Sequence, residues 1–272
     1  MKKKNRFLAN KTFVVFSILA VCIILTAVFA PVVTRGVDPL KGSLVDALLP
    51  PCKEHIFGTD KMGRDIFSRV MAGTKITIFI AIGTNMIGLF FGIIIGALTG
   101  YYGGILDEIL MRFNDAVLAF PSILLALVFL SAFGPGQINV MISLGIVFVP
   151  SYARIIRSEY LRIKGLDYVT SAKLMGARNL RIITRHILPN VFPVIFSTVV
   201  IGFNNAVLAE AGLSFLGIGV QPPNASLGTL LSDSQSFVFS HPSYTFLTGG
   251  FMVLLIVSFS LFSDGFKEYI NA

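Results

Sequence analysis

Of the chain's 272 residues, 54% are hydrophobic and only 13% are charged, with a mean hydropathy of +0.81. That is too apolar for a soluble domain of this length. A formal net charge of +8 could suit a nucleic-acid binder, but no aromatic-basic interleaving or binding motif accompanies it. Positive charge gathered in loops is the ordinary signature of membrane orientation.

Taken in chain order, six apolar segments have about the length that a hydrocarbon core of roughly 30 Å requires. They cover residues 12–30, 76–99, 116–133, 138–153, 191–209 and 244–263. The sequence therefore predicts an all-α integral membrane protein with six transmembrane helices. Its parts are an N-terminal segment 1–11, a first helix 12–30, a connection 31–75, and a five-helix core 76–272 containing a basic loop 154–190. The first segment follows Lys2-Lys3-Lys4 but is long for a signal sequence, and no small-x-small cleavage site precedes Pro31. It reads as a retained span. The fourth segment is short and carries Pro150. Cys22 lies in an apolar run and Cys52 outside it, so neither a disulfide framework nor a metal cluster is implied.

Lys and Arg placement sets the orientation. With the N-terminus inside, cytoplasmic segments carry five basic residues at the N-terminus, one at Arg112, eight across 154–185 and one at Lys267. The connections after the third and fifth spans carry none. Residues 35–75 break the pattern with seven, partly offset by Asp38, Asp46, Glu54, Asp60 and Asp65. Moving that loop inside would put another basic cluster on the wrong side, so both termini are expected in the cytoplasm. Within the 31–75 connection, residues 60–67 are amphipathic and read as lying along the outer surface.

Residues 167–190 are the most patterned stretch. A short helix-forming run ends at Gly176, and a second, Arg-rich amphipathic run leads to Leu188-Pro189-Asn190. Two short helices broken by a glycine make a docking element for a cytoplasmic partner. Gly176 can adopt φ > 0 and close the first helix. Ser171 and Ala172 are small enough to permit close approach, and Lys173, Arg178, Arg181 and Arg185 can pair with acidic groups or anionic lipid. Polar groups in or near spans are Asn85, Asn204, Asn205 and Glu210, with Glu210 near the outer end of the fifth. Such residues at membrane depth are pathway candidates. Gly88, Gly92 and Gly96 recur every four residues on one helix face and suit close helix packing.

Several motifs resemble one family in order along nearly the whole chain. They are His55-x-Phe57-Gly58-Thr59-Asp60-x-x-Gly63-Arg64-Asp65-x-Phe67-Ser68-Arg69, Gly100-Tyr101-Tyr102-Gly103-Gly104 through Asp115 with Ala119-Phe120-Pro121, and Ala209-Glu210-Ala211-Gly212-Leu213-Ser214-Phe215-Leu216-Gly217 with Gln221-Pro222-Pro223. Together with 167–190, which is similar to the EAA loop, they resemble the second permease subunit of peptide and nickel ABC importers. The resemblance implies a type I importer permease fold and one membrane subunit of an ATP-driven importer of di- or oligopeptides, with nickel or a metal chelate as the alternative cargo. It implies as partners a second homologous permease, two ABC ATPases, an extracytoplasmic binding protein and membrane lipid in a bacterial plasma membrane, and no nucleic acid. It places ATPase coupling at Thr170, Ser171, Ala172, Lys173, Gly176, Ala177 and Arg178. Thr170 and Ser171 stand where the family usually has an acidic residue and an alanine, and Leu227 where it usually has Trp. No G-x-x-x-x-G-K-[ST] phosphate cradle is present, so ATP and Mg are expected on the partner ATPases and no cofactor on this chain. His55, His186 and His241 show no metal-ligand spacing, no serine has a nucleophile context, and no enzyme activity is expected. The competing reading, a non-transporting membrane scaffold, explains the basic loop but not the other motifs.

Overall fold

The structure is a computed structural model that describes residues 11–271. Among the described residues its regular structure is helical, apart from two isolated bridges, Gly42 to Arg64 and Thr59 to Asp65. The helices are α1 (Lys11–Val28), α2 (Ile66–Tyr102), α3 (Gly104–Leu118), α4 (Ser122–Phe133), α5 (Gln137–Lys164), α6 (Asp167–Leu174), α7 (Asn179–Phe215), α8 (Leu227–Gln235) and α9 (Pro242–Asn271). A single helical turn, Ala30–Val33, and a 3-10 turn, Leu44–Asp46, punctuate the chain between α1 and α2. The expected segment 1–11 falls almost entirely outside the described residues.

Four helices, α2, α5, α7 and α9, are long and apolar enough to cross a bilayer. The bent pair α3–α4 makes a fifth crossing if it is one span, and the apolar stretch Val14–Val28 of α1 is shorter than the other four. Helix α1 lies against α9, with Ile23 and Ala27 joining the core that holds Tyr244 and Leu255.

Span limits differ from the sequence expectation wherever polar groups are satisfied locally. Helix α2 starts ten residues before the expected 76, because Asp65 caps it: its carboxylate accepts from Ser68 N at 2.7 Å and Ser68 Oγ at 2.8 Å. The 31–75 connection therefore ends at residue 65. Residues 60–65 form a turn organised by Asp60, which accepts from Met62 N at 2.8 Å, Arg64 N at 3.0 Å and Arg64 Nε at 2.7 Å. No amphipathic surface helix forms there, and Ile66 is buried. The expected span 116–133 is broken. Pro121, which disfavours helix at the residue before it, separates α3 from α4, and the two meet at 92°. Helix α5 runs through Pro150 to Lys164, well past the expected 153. A proline inside a membrane helix is tolerated when neighbours satisfy the freed backbone. The expected loop thus shortens to 165–178, followed by α7, which is 37 residues and about 55 Å long.

The closest packing is between α2 and α5. A Cβ built on Gly88 would stand 3.0 Å from Phe148 Cβ, one on Gly96 2.6 Å from the Ala153 carbonyl oxygen, and one on Gly100 2.6 Å from Tyr160 Cβ. The packing role expected of Gly88, Gly92 and Gly96 extends one turn to Gly100. At one end of the bundle Tyr101 Oη donates to Asn179 Oδ1 at 2.8 Å and Lys164 Nζ to the Tyr101 carbonyl, gathering α2, α5 and the start of α7 around α6. The opposite end carries the 34–65 loop, α8, and the α4–α5 connection, where Gly136 N donates to the Gly219 carbonyl at 3.0 Å. The 34–65 loop and the basic loop therefore lie at opposite ends.

Candidate functional site

At the basic end, α6 projects from the bundle. Val169 and Ala172 face inward, Ala172 only 4% exposed. The small side chain of Ala172, expected to permit close approach to a partner, is packed against the protein itself, and the residues around it on α6 are exposed. The exposed face carries Thr170, Ser171, Lys173, Leu174 and Met175, and Leu174 and Met175 are 84% and 81% exposed. Gly176 has φ +79°, with Ala177 N donating to the Ala172 carbonyl at 3.1 Å and Gly176 N to the Lys173 carbonyl at 3.0 Å. This paired closure holds the last turn of α6 and turns the chain toward Arg178. Among the described residues, no ion pair engages Lys173, Arg178, Arg181 or Arg185. The basic face is left available.

A cleft of about 380 Å³ opens beside the α3–α4 bend, between α5 and α7. Its wall includes Phe120, Ser151, Tyr152, Thr198, Gly202 and Asn205, polar groups spaced among apolar ones. Of the four pathway candidates from sequence, the structure puts only Asn205 on this wall. Asn85 is buried: its Nδ2 donates to the Ala81 carbonyl at 2.7 Å, and its Oδ1 accepts from Tyr152 Oη. It holds a wall residue in place from behind. Asn204 is not among the residues lining the cleft, and among the described residues its buried Oδ1 has no hydrogen-bond partner. Glu210 is fully buried. Its Oε2 accepts from Thr77 Oγ1 at 3.0 Å and its Oε1 from Ser214 Oγ at 2.6 Å. Thr77 Oγ1 in turn accepts from Leu227 N at 3.2 Å, and Ser214 Oγ from Val220 N at 3.1 Å. Glu210 is the hub that joins α2, α7, α8 and the 217–220 turn.

Sequence reasoning missed Tyr152, Ser151 and Thr198 because each sits in an unremarkable apolar run. Tyr152 gains its role from Asn85, 67 residues earlier. Tyr152→Phe strands the buried Asn85 Oδ1, a loss of about 1–3 kcal/mol. A clear drop in thermal stability in detergent is expected, read by intrinsic tyrosine fluorescence or differential scanning.

Apolar crossing helices, a side cleft and a basic helical projection define a multi-pass helical membrane protein. The family model described as "Binding-protein-dependent transport system inner membrane component" matches residues 88–272. The chain is 36% identical over 266 residues to the oligopeptide transport system permease protein of Bacillus subtilis, covering 98% of this chain and 87% of that one. It is 38% identical to the dipeptide transport system permease protein of Alkalihalophilus pseudofirmus, over 96% of this chain and 86% of the relative. The Haemophilus influenzae dipeptide permease is 34% identical, over 97% and 92%. In fold it is similar to the inward-facing MetNI methionine ABC transporter, with a TM-score of 0.62 at 17% identity, covering 75% of this chain and 97% of that one. The chain belongs to the family of binding-protein-dependent transport permeases, and its fold is that of a type I ABC importer permease.

Proposed function

We propose that this chain is one of two membrane subunits of an ATP-driven importer that takes up di- or oligopeptides delivered by an extracytoplasmic binding protein. The observation that carries the reading is the path from α6 to the cleft: the projecting helix continues through one turn into α7, which forms a cleft wall at Thr198, Gly202 and Asn205. The relatives named as oligopeptide and dipeptide permeases support peptide as cargo. The basic end faces the cytoplasm with both termini on that side, a reading that the Lys and Arg distribution supports. There α6 meets an ABC ATPase through Thr170, Ser171, Lys173, Leu174 and Met175, with Gly176, Ala177 and Arg178 shaping the turn. Ala172 supports the helix from within. ATP and Mg are bound by the ATPase subunits, and this chain transmits movement rather than catalysing a reaction. A second permease completes the cleft into a pathway in which Asn205 faces the cargo. Asn85 and Glu210 serve the scaffold.

The test is reconstitution of both permeases and ATPases in proteoliposomes with the loaded binding protein. Peptide-dependent uptake coupled to ATP hydrolysis is expected. Replacing Leu174 and Met175 by Asp charges an exposed apolar tip without entering the core, so the chain folds. The ATPases should then fail to copurify, and uptake should fall at least tenfold, as when an apolar anchor is lost. Full uptake by that variant rules out α6 as the docking helix.

A further inference from the structure

The joint between α6 and α7 contains more than chain continuity. Residues Ile182–Ile187, at the base of α7, form a π-helix, a wider and rarer turn that often marks functional positions. Just beyond it Pro189 brings no N–H to the helix ladder. Side chains from two other directions hold this segment. Tyr160, buried near the end of α5, donates from Oη to the Ile183 carbonyl at 3.3 Å. One turn further, the His186 carbonyl accepts from Tyr168 Oη on α6 at 3.1 Å and from Asn190 Nδ2 at 2.7 Å. Asn190 Nδ2 also donates to Tyr168 Oη at 3.1 Å, closing a triangle of hydrogen bonds.

The triangle is the polar part of the contact between α6 and the base of α7. Its apolar part is Val169, which shares a core cluster with Ile182, Ile183, Ile187 and Val191. Val169 and the closure at Gly176 keep α6 folded, so the triangle is not needed to form the helix. It fixes the helix's bearing: a flexible apolar contact lets a short helix roll, whereas directed hydrogen bonds do not. Tyr168, His186 and Asn190 lie close to solvent, where each bond has modest net worth. The arrangement therefore suits orientation more than stability.

We propose that Tyr168 and Asn190 are positioning residues for coupling. They fasten α6 to the π-helical base of α7, so that displacement of α6 is passed into α7 and on to the cleft wall at Thr198, eight residues beyond Asn190. Without them α6 still docks but rocks on Val169, and its movement is spent locally. This inference rests on α6 being the ATPase-facing helix.

The test uses the complete transporter in proteoliposomes with binding protein and peptide. Tyr168→Phe removes one hydroxyl and Asn190→Ala one amide, neither in the exposed docking face. Both variants should retain copurifying ATPase subunits. Each variant breaks two of the triangle's three hydrogen bonds, both of modest net worth near solvent, so peptide taken up per ATP hydrolysed should fall roughly fivefold. The double variant should be no worse than either single one, because the three groups act as a unit. Parental uptake per ATP in both single variants overturns the proposal. So does loss of ATPase subunits in step with uptake, since that marks a structural role only. The Leu174 and Met175 variant separates the two claims. If it keeps its ATPases, the underlying reading of α6 fails. If it loses them while Tyr168→Phe couples normally, only the role of Tyr168 and Asn190 fails.

Discussion

Valine at position 96 is expected to leave little folded protein in the membrane. A Cβ on Gly96 would lie 2.6 Å from the Ala153 carbonyl oxygen and 2.9 Å from both Arg157 N and Ile156 Cβ. The first two are backbone atoms of a continuous helix and cannot swing aside as a side-chain tip can. Relief requires α2 and α5 to part, and that also lifts Gly92 and Gly100 from Tyr152, Arg157 and Tyr160. Overpacking of a dense core costs about 1–3 kcal/mol, and separating the most extensive helix pair adds the loss of neighbouring contacts. The measurement is the yield of monodisperse protein in mild detergent and its thermal midpoint. Gly212→Ala is the control, because a Cβ there meets nothing within 4 Å. If Gly96→Val and Gly212→Ala behave alike, the close approach of α2 to α5 is wrong.

Glu210→Ala carries the second large effect. It removes both carboxylate oxygens from a fully buried position and leaves the hydroxyl protons of Thr77 and Ser214 without acceptors. Each buried donor left unsatisfied costs about 1–3 kcal/mol. The disturbance spreads outward, because Thr77 and Ser214 also receive Leu227 N and Val220 N. Loss of thermal stability is expected, with faster proteolysis in the 216–226 segment as α8 and its approach loosen. Glu210→Gln keeps the size and one carbonyl acceptor, so it should fall between Ala and the parent. Transport loss that follows this stability order marks Glu210 as scaffold. An alanine variant as stable as the parent, yet unable to transport, would instead return Glu210 to the pathway.

Much of the fold was legible because the cost of a segment in lipid adds up residue by residue. Four of the expected spans coincide with helices long and apolar enough to cross. The boundaries were less legible. Hydropathy discounted Ser68, Arg69 and Lys75 and so started α2 late, although Arg69 lies within reach of Asp60 at 3.5 Å and Asp233 at 3.6 Å. The basic stretch after 154 read as loop because its charges masked a helix. In α5, Arg157 meets Asp107 at 2.5 Å and Arg154 meets Asp115, both partners on α3. Only the last three residues of the amphipathic α3 fall within the span expected to begin at 116.

At the candidate site, the sequence alone determined the helical class, the basic loop and the glycine that closes α6, since each depends on neighbours within a few residues. It could also mark Asn205 as polar within a span. Only the tertiary structure decided that Ala172 faces inward, that Asn85 braces Tyr152, that Glu210 is buried among Thr77 and Ser214, and that Tyr168 and Asn190 meet over one carbonyl. The pairs Tyr168–Asn190, Asn85–Tyr152 and Thr77–Glu210 join groups 22, 67 and 133 residues apart in the chain. A polar group's role inside an apolar bundle is set by which partner reaches it. Local pattern measures the cost of burying such a group, whereas packing supplies the partner that offsets it.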